Sequence, residues 1–301
     1  MAFLQPDSLP AMAEAIHRQL VAARGNRLTE ESLRAFVVPK GISKGQGADN
    51  YFSYTLGQLT AIGAVIADEN QISLPTDPDY AQTPGAMRDL VRSKAMAAER
   101  QSDLWEKDES GTLSLLGARD LVRVFAWFLS LDVLSGPYTY DGSGGQLGTL
   151  QRDHTREYLI YNKTRWLPFV RWGQYLGLLS KTSLYAGSGT SETAVIPDPT
   201  NAVRSVLPRC VPRNDWVPFS TAIAAIGKEL PVIDQGIYRK AILERRKPDW
   251  DADCSPSLTL AFERLRASGE IEFDPGAGDA QKTVLANNRG AFHALRLVAR
   301  P

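Results

Sequence analysis

TRWLPFVRWGQYLGLLSKTSLYAGSGTSETAVIP, residues 164–197, is the stretch on which the fold turns. Thr164 offers a hydroxyl that can accept a free backbone N–H of a first helical turn. Pro168 is expected in that first turn, where its missing N–H costs little. Trp166, Phe169, Val170 and Gly173 recur at i, i+3, i+4 and i+7, which is one face of a helix. Gly177 can take the left-handed conformation that stops a helix. Residues 178–185 read as a strand, 186–191 as a flexible tip and 192–196 as a returning strand.

A helix that passes through a glycine into a hairpin is the C-terminal half of a winged helix-turn-helix. The pattern occurs twice more, in FSYTLGQLTAIGAVIADENQISLP and in LTLAFERLRASGEIEFDPGAGDAQKTVLA. The three copies align on Gly63, Gly177 and Gly269. Phe52, Trp166 and Leu258 precede those glycines by one interval, Leu56, Val170 and Phe262 by a second, and Leu59, Gly173 and Leu265 by a third. Val65, Leu179 and Ile271 follow. All but Gly173 are apolar, at the spacing of one buried helix face and then a strand. The identities differ, so the repeat is one of physics more than of sequence. An amphipathic helix followed by any hairpin would produce the same spacing.

Composition sets bounds. A chain of 301 residues suggests two to three domains, and 43% apolar with 23% charged residues is ordinary for a globular protein. With 34 basic and 34 acidic residues, bulk charge alone would not hold the chain on nucleic acid. Cys210 and Cys254 make neither a disulfide framework nor a zinc site and read as inert thiols of a cytoplasmic protein. The first twenty residues lack the unbroken apolar core of a signal peptide. The apolar run at 122–134 is too short and too polar to span a membrane.

Taken in order, the chain reads as three domains. Residues 1–76 hold a helix capped by Asp7 or Ser8, a second started by Thr29, a third at 50–62 and a short hairpin: an N-terminal winged helix. Residues 77–212 hold a helical insert and a central winged helix. The insert is expected to form helices over 85–105 and 118–134, the second buried around most of its circumference. Residues 77–150 carry 7 basic and 11 acidic residues, whereas 151–210 carry 8 basic and 4 acidic, the only clear positive excess. A short helix at 201–207 precedes a linker marked by Pro208 and Pro212. Residues 213–301 form a C-terminal winged helix, with helices capped by Ser220 and by Ser255-Pro256, and a last strand over 293–298. The fold class is thus mostly α with small β-hairpins (α+β), as tandem winged helix-turn-helix units with a helical insert.

Catalytic chemistry is scarce. His17, His154 and His293 lie far apart and share no metal-ligand spacing. Asp249-x-Asp251-x-Asp253 opens like a calcium loop but has Cys254 where the glycine belongs and Leu260 where the last acid belongs. GSGG at 142–145 and GSGT at 187–190 lack the Lys-Ser/Thr of a phosphate loop, and no nucleophile elbow appears. The chain is read as having no catalytic residues, no metal and no cofactor, and no small-molecule substrate is identified.

The strongest positional signal is the basic, aromatic run at 158–175. On the helix after Thr164, Arg171 and Tyr175 are expected to point away from the core, with Arg165 and Trp172 on one flank, Lys163 at the start and Lys181 on the adjoining strand. An exposed Arg/Tyr/Trp face on the third helix of a winged helix suits a major groove, with Lys163 and Lys181 on phosphates. The same residue types also enrich protein interfaces. The matching faces elsewhere, Tyr54, Gln58 and Ala61, and Glu263, Arg264 and Ala267, suit DNA less well.

Over two-thirds of its length the chain resembles the winged-helix class, and within it the tandem winged-helix accessory proteins of bacterial DNA-modification and phage-defence clusters, the DpdG-like proteins among them. That resemblance implies a non-catalytic, double-stranded-DNA-binding subunit of a larger bacterial assembly, with protein subunits as partners. It is also similar to the kite subunits of SMC-type complexes, which implies instead a protein-protein adapter with little DNA affinity.

Overall fold

A computed structural model describes residues 2–39, 47–75, 82–100, 103–142, 144–185, 191–245, 250–277 and 280–298. The hairpin tip at 186–190, with its GSGT run, and Asp249 of the acidic triplet lie outside the described residues. The protein is mostly helical with small antiparallel sheets. It divides into two compact units, Met1–Leu121 with Thr164–Leu176, and Val122–Lys163 with Gly177–Pro301.

The first unit begins with α1 (Pro10–Ala22), β1 (Arg27–Thr29), α2 (Glu30–Val37), α3 (Ala48–Ala61), β2 (Ile66–Asp68) and β3 (Gln71–Ser73). The strands form a sheet in the order β1-β3-β2, with Ile72 opposite both Leu28 and Ala67. The Thr29 hydroxyl accepts the Ser32 N–H at 3.1 Å, the cap that starts α2. At α1 the expected cap does not form. Leu9 takes the cap position without a side-chain bond, and Pro10 follows it. Ser8 is instead fully buried, its hydroxyl donating to Gln58 Oε1 and accepting the Trp172 indole N–H at 2.9 Å. Ile16, Leu20, Leu33, Phe52 and Leu59 form the core here.

Next comes α4 (Ala86–Ala95), shorter than the helix expected over 85–105. Beyond it Ala98–Arg100 form a 3-10 turn, and Asp103 accepts the Trp105 N–H at 2.8 Å, a local side-chain turn that competes with helix at the end of that range. The same competition shortens α5 (Arg119–Phe128), whose first turn counts with the first unit and whose remainder counts with the second. Ser130 Oγ donates to Trp127 O at 2.6 Å and Asp132 accepts the Leu134 N–H at 3.0 Å. As the apolar circumference requires, 121–129 are completely buried.

The second unit continues with α6 (Gln146–Thr155). The helix of the organising stretch, α7 (Lys163–Leu176), belongs to the first unit from Thr164 on. It starts before Thr164, which places Pro168 inside it rather than in its first turn. Strands β4 (Leu179–Tyr185) and β5 (Ser191–Pro197) pair in register from Leu179 opposite Pro197 to Tyr185 opposite Ser191. Tyr138 bonds to Val195 through both backbone groups, at 2.8 and 2.9 Å, which adds a short third edge. α8 (Thr200–Cys210) runs through Pro208, where a linker was expected.

The last part comprises β6 (Val217–Pro218), α9 (Phe219–Glu229), α10 (Ile237–Leu243), α11 (Pro256–Ala267), β7 (Ile271–Asp274), β8 (Thr283–Val284), β9 (Ala291–Phe292) and β10 (Ala294–Leu297). Its main sheet has the order β6-β10-β7, and β8 pairs with β9. Ser255 caps α11 by accepting the Leu258 N–H, whereas α9 starts at Pro218 without the expected Ser220 cap. In both the N-terminal and the C-terminal part the first strand pairs with the last, β1 with β3 and β6 with β10, but the N-terminal part runs helix, strand, two helices and two strands, whereas the C-terminal part opens on β6 before three helices and four short strands.

The glycine alignment has a physical basis in the backbone. Gly63, Gly177 and Gly269 have φ of 71°, 75° and 70°, the left-handed region. The aligned apolar positions are all buried, from Phe52, Trp166 and Leu258 to Val65, Leu179 and Ile271.

Candidate nucleic-acid interface

The sequence of α7 puts Lys163, Thr164, Leu167, Arg171 and Gln174 on one side of the helix, and all five are exposed. The opposite side, Trp166, Phe169, Val170 and Gly173, is buried, with the Trp166 and Phe169 rings 5.3 Å apart. The inward stripe was thus readable from its period. What the period could not assign was the flank between the two sides.

That flank is buried, which corrects the expectation for two residues. Arg165 is 4% exposed, with its guanidinium 3.5 Å from the carboxylate of Asp120, itself 2% exposed. Asp120 also accepts the N–H groups of Phe3 at 2.9 Å and Leu4 at 2.8 Å. Burial pushes the Asp120 pKa up; the two amides and Arg165 oppose it. Trp172 is fully buried, edge-on to Phe3 at 4.7 Å. Neither side chain belongs to an outward face. Both close the core of the first unit over the segment 2–4.

Tyr175 is half-buried rather than outward. Its hydroxyl donates to Glu14 at 2.6 Å, and burial followed by that carboxylate raises its pKa strongly. It therefore stays a neutral donor held on α1. Lys163, Arg171 and Lys181 are exposed as expected. None of the three side chains has an ion-pair or hydrogen-bond partner among the described residues. Arg171 counts with the first unit; Lys163 and Lys181 count with the second.

The turn before α7, within the second unit, adds residues that the residue-by-residue reading left out. Arg156 is exposed, with a left-handed φ of 60° that closes α6. Tyr158 and Tyr161 are 40% and 51% exposed, while Leu159 and Ile160 between them are buried. The signal was the alternation of cations and aromatics in REYLIYNK, residues 156–163.

The corresponding helices elsewhere are differently built. On α3 the exposed residues are Asp49, Asn50, Ser53, Tyr54 and Ala61, with no cation among them, and Gln58 is buried with its amide on the carbonyls of Ala2 and Phe3. The turn between β2 and β3 exposes Asp68 and Glu69. On α11, Arg264 bonds to Asp198, which is 5% exposed. Arg266 sits 4.9 Å over the Phe273 ring. The α11 cations are thus engaged within the fold.

A family model described as DpdG-like matches residues 1–279 of the chain. No curated protein and no solved structure matches it.

Proposed function

The chain belongs to the DpdG-like family, and from that premise we propose that it serves a DNA-modification system as a non-catalytic subunit that binds double-stranded DNA. The observation that carries the reading is the set Lys163, Arg171 and Lys181. These cations are exposed and without partners among the described residues, and they lie in the one segment with a basic excess. We read the N-terminal order of helix, strand, two helices and two strands, and the C-terminal set of three helices with β6 paired on β10 and β10 on β7, as tandem winged helices. The chain order α5, Tyr138, α6, α7, β4 and β5 follows the same scheme. In this reading the exposed side of α7 enters a major groove, with Arg171 toward base edges and Lys163 and Lys181 on phosphates. Within the second unit, Arg156, Tyr158 and Tyr161 add exposed residues of the same chemistry beside Lys163 in sequence.

A second reading, a protein-protein adapter, is favoured by the exposed face of α3, which carries Asp49 and no cation, and by the acidic turn between β2 and β3. These repel phosphate and suit a protein surface.

The deciding measurement is fluorescence anisotropy of a labelled duplex across a salt series, on the full chain. DNA binding gives an affinity that falls steeply with salt. Lys181→Glu should weaken every duplex about equally and flatten the salt dependence. Arg171→Glu should weaken binding and relax sequence preference by roughly 1–3 kcal/mol at one position. Both residues are exposed, so each change should alter stability by no more than ~0.5 kcal/mol. Absence of duplex binding at low salt, with a complex recovered by pull-down and broken by Arg171→Glu, would establish the adapter reading instead.

A further inference from the structure

The turn between α6 and Lys163, residues 156–162, is held within the second unit by two fully buried polar side chains of α6. Gln151 grips Ile160 from both sides of its backbone. Its Oε1 accepts the Ile160 N–H at 2.5 Å, and its Nε2 donates to the Ile160 carbonyl at 3.2 Å. The Thr155 hydroxyl accepts the Glu157 N–H at 3.2 Å. Leu159 and Ile160 are buried and anchor the middle of the turn. Little conformational freedom is therefore left to lose when a ligand binds.

The fixed turn presents two rings to solvent. Tyr158 is 40% exposed and Tyr161 51%. Three residues of chain separate their Cα atoms by no more than about 10 Å, so one short ligand can meet both. Cations stand beside them. Arg156 is exposed, and its side chain has no partner among the described residues. Arg245, exposed just past α10, donates to the Thr155 carbonyl at 3.3 Å, which puts a second guanidinium at the base of the turn. Glu157 and Glu244 offset part of this charge. Attraction to phosphate alone would then hold a polyanion weakly, and the rings must supply the rest.

We propose, resting on the DNA-binding reading for the class of ligand, that this turn is a stacking platform for single-stranded DNA. A tyrosine stacks on a base only where the face of the base is open. In a duplex the faces are covered by neighbouring base pairs, and a protein reaches edges and phosphates. A single strand can lay its bases on Tyr158 and Tyr161 and its phosphates beside Arg156 and Arg245. Exposed tyrosine and arginine also suit a protein partner, which the test separates.

The test is fluorescence anisotropy on the full chain with labelled probes: an oligothymidylate of about 12 nucleotides, an abasic strand of the same length, and a duplex. Oligothymidylate should bind roughly tenfold or more tighter than the abasic strand, the factor that one stacked base supplies. Tyr158→Ala combined with Tyr161→Ala should erase that preference and leave duplex affinity unchanged. The corresponding pair of changes to Phe keeps the rings and should keep the preference. Arg156→Gln should weaken oligothymidylate and the abasic strand alike. All these positions are exposed; circular dichroism reports whether each variant is folded, and the single alanine changes serve if the pair is not. Duplex binding without a preference for oligothymidylate over the abasic strand overturns the platform and leaves the DNA reading standing. No binding to any probe overturns both. An unchanged preference in a folded alanine variant also overturns the platform, and loss of a protein complex from that variant would assign the rings to a protein partner instead.

Discussion

Replacing Asp120 with alanine should destabilise the first unit by about 4 kcal/mol. Two contributions set that figure. Asp120→Ala removes the buried carboxylate beside Arg165, whose side chain is 5% exposed, and breaking a buried pair by removing one partner costs roughly 3–5 kcal/mol. It also removes the acceptor of the Phe3 and Leu4 amides, each of which costs about 1–3 kcal/mol if it stays buried and unpaired. The two do not add in full, because segment 2–4 can pull out and rehydrate its amides. Pulling out forfeits the burial of Phe3 and Leu4, at about 1.5–3 kcal/mol per side chain, which keeps the total near the same value. The assay is urea denaturation followed by tryptophan fluorescence, with hydrogen exchange at the Phe3 and Leu4 amides as the local readout. Arg165→Met should cost less than Asp120→Ala. The double variant should be more stable than the sum of the single losses by about 1 kcal/mol or more. A loss below about 1 kcal/mol in Asp120→Ala would refute the account. So would a folded Arg165→Met of wild-type stability that no longer binds DNA, because Arg165 would then be an interface residue.

Three further outcomes follow from the packing. Gly177→Val should be far more damaging than Gly269→Val in thermal melts. Both have positive φ, worth about 1 kcal/mol, but a Cβ at Gly177 would lie 2.8 Å from the Ala202 nitrogen, whereas at Gly269 nothing lies within 4 Å. Arg264→Glu, innocuous on a solvated helix, should cost roughly 1–3 kcal/mol in urea melts because it sets a second carboxylate against buried Asp198; the half-exposed Arg264 limits the loss. His17 has its pKa lowered from 6.5 by burial first, with Arg18 acting the same way and Glu14 against it. The unfolded chain then takes up a proton that the folded chain refuses. Stability contributed by His17 is complete above pH 6.5 and is lost as the pH falls toward the lowered value. His17→Phe should flatten that part of a stability-against-pH curve, and an unchanged curve would remove His17 as its cause.

The parts of the fold legible in the sequence are those set by neighbours along the chain. The spacing Phe52, Leu56, Leu59 and its two counterparts marks buried stripes because a helix returns to one face at those intervals. The cap at Thr29 and the Ser255-Pro256 start are equally local. What stayed hidden was long-range. Arg165 and Trp172 look like a solvated flank until Asp120, Phe3 and Ser8 are known to cover them. No period encodes a partner 45 or 164 residues away in sequence. β1 was missed because it is three residues long and has meaning only against β3. Pro168 was placed too early in its helix because the start depended on Lys163 being helical, which hydroxyl capping rules do not anticipate. In the candidate site, the exposure of Lys163, Arg171 and Lys181 was readable, and the half-burial of Tyr175 on Glu14 was not.

The segment 2–4 has a consequence for the order of synthesis. Phe3 emerges from the ribosome long before the residues that enclose it, since Asp120 follows 117 positions later and Trp172 later still. At typical elongation rates that interval lasts roughly 10–30 s. In that time Phe3 and Leu4 are sticky apolar side chains without their sites, and residues 122–163, which join the other unit, are made in between. The first unit can close only after α7 has been translated, so its maturation is governed by the clock of translation and by whatever shields nascent apolar segments in the meantime.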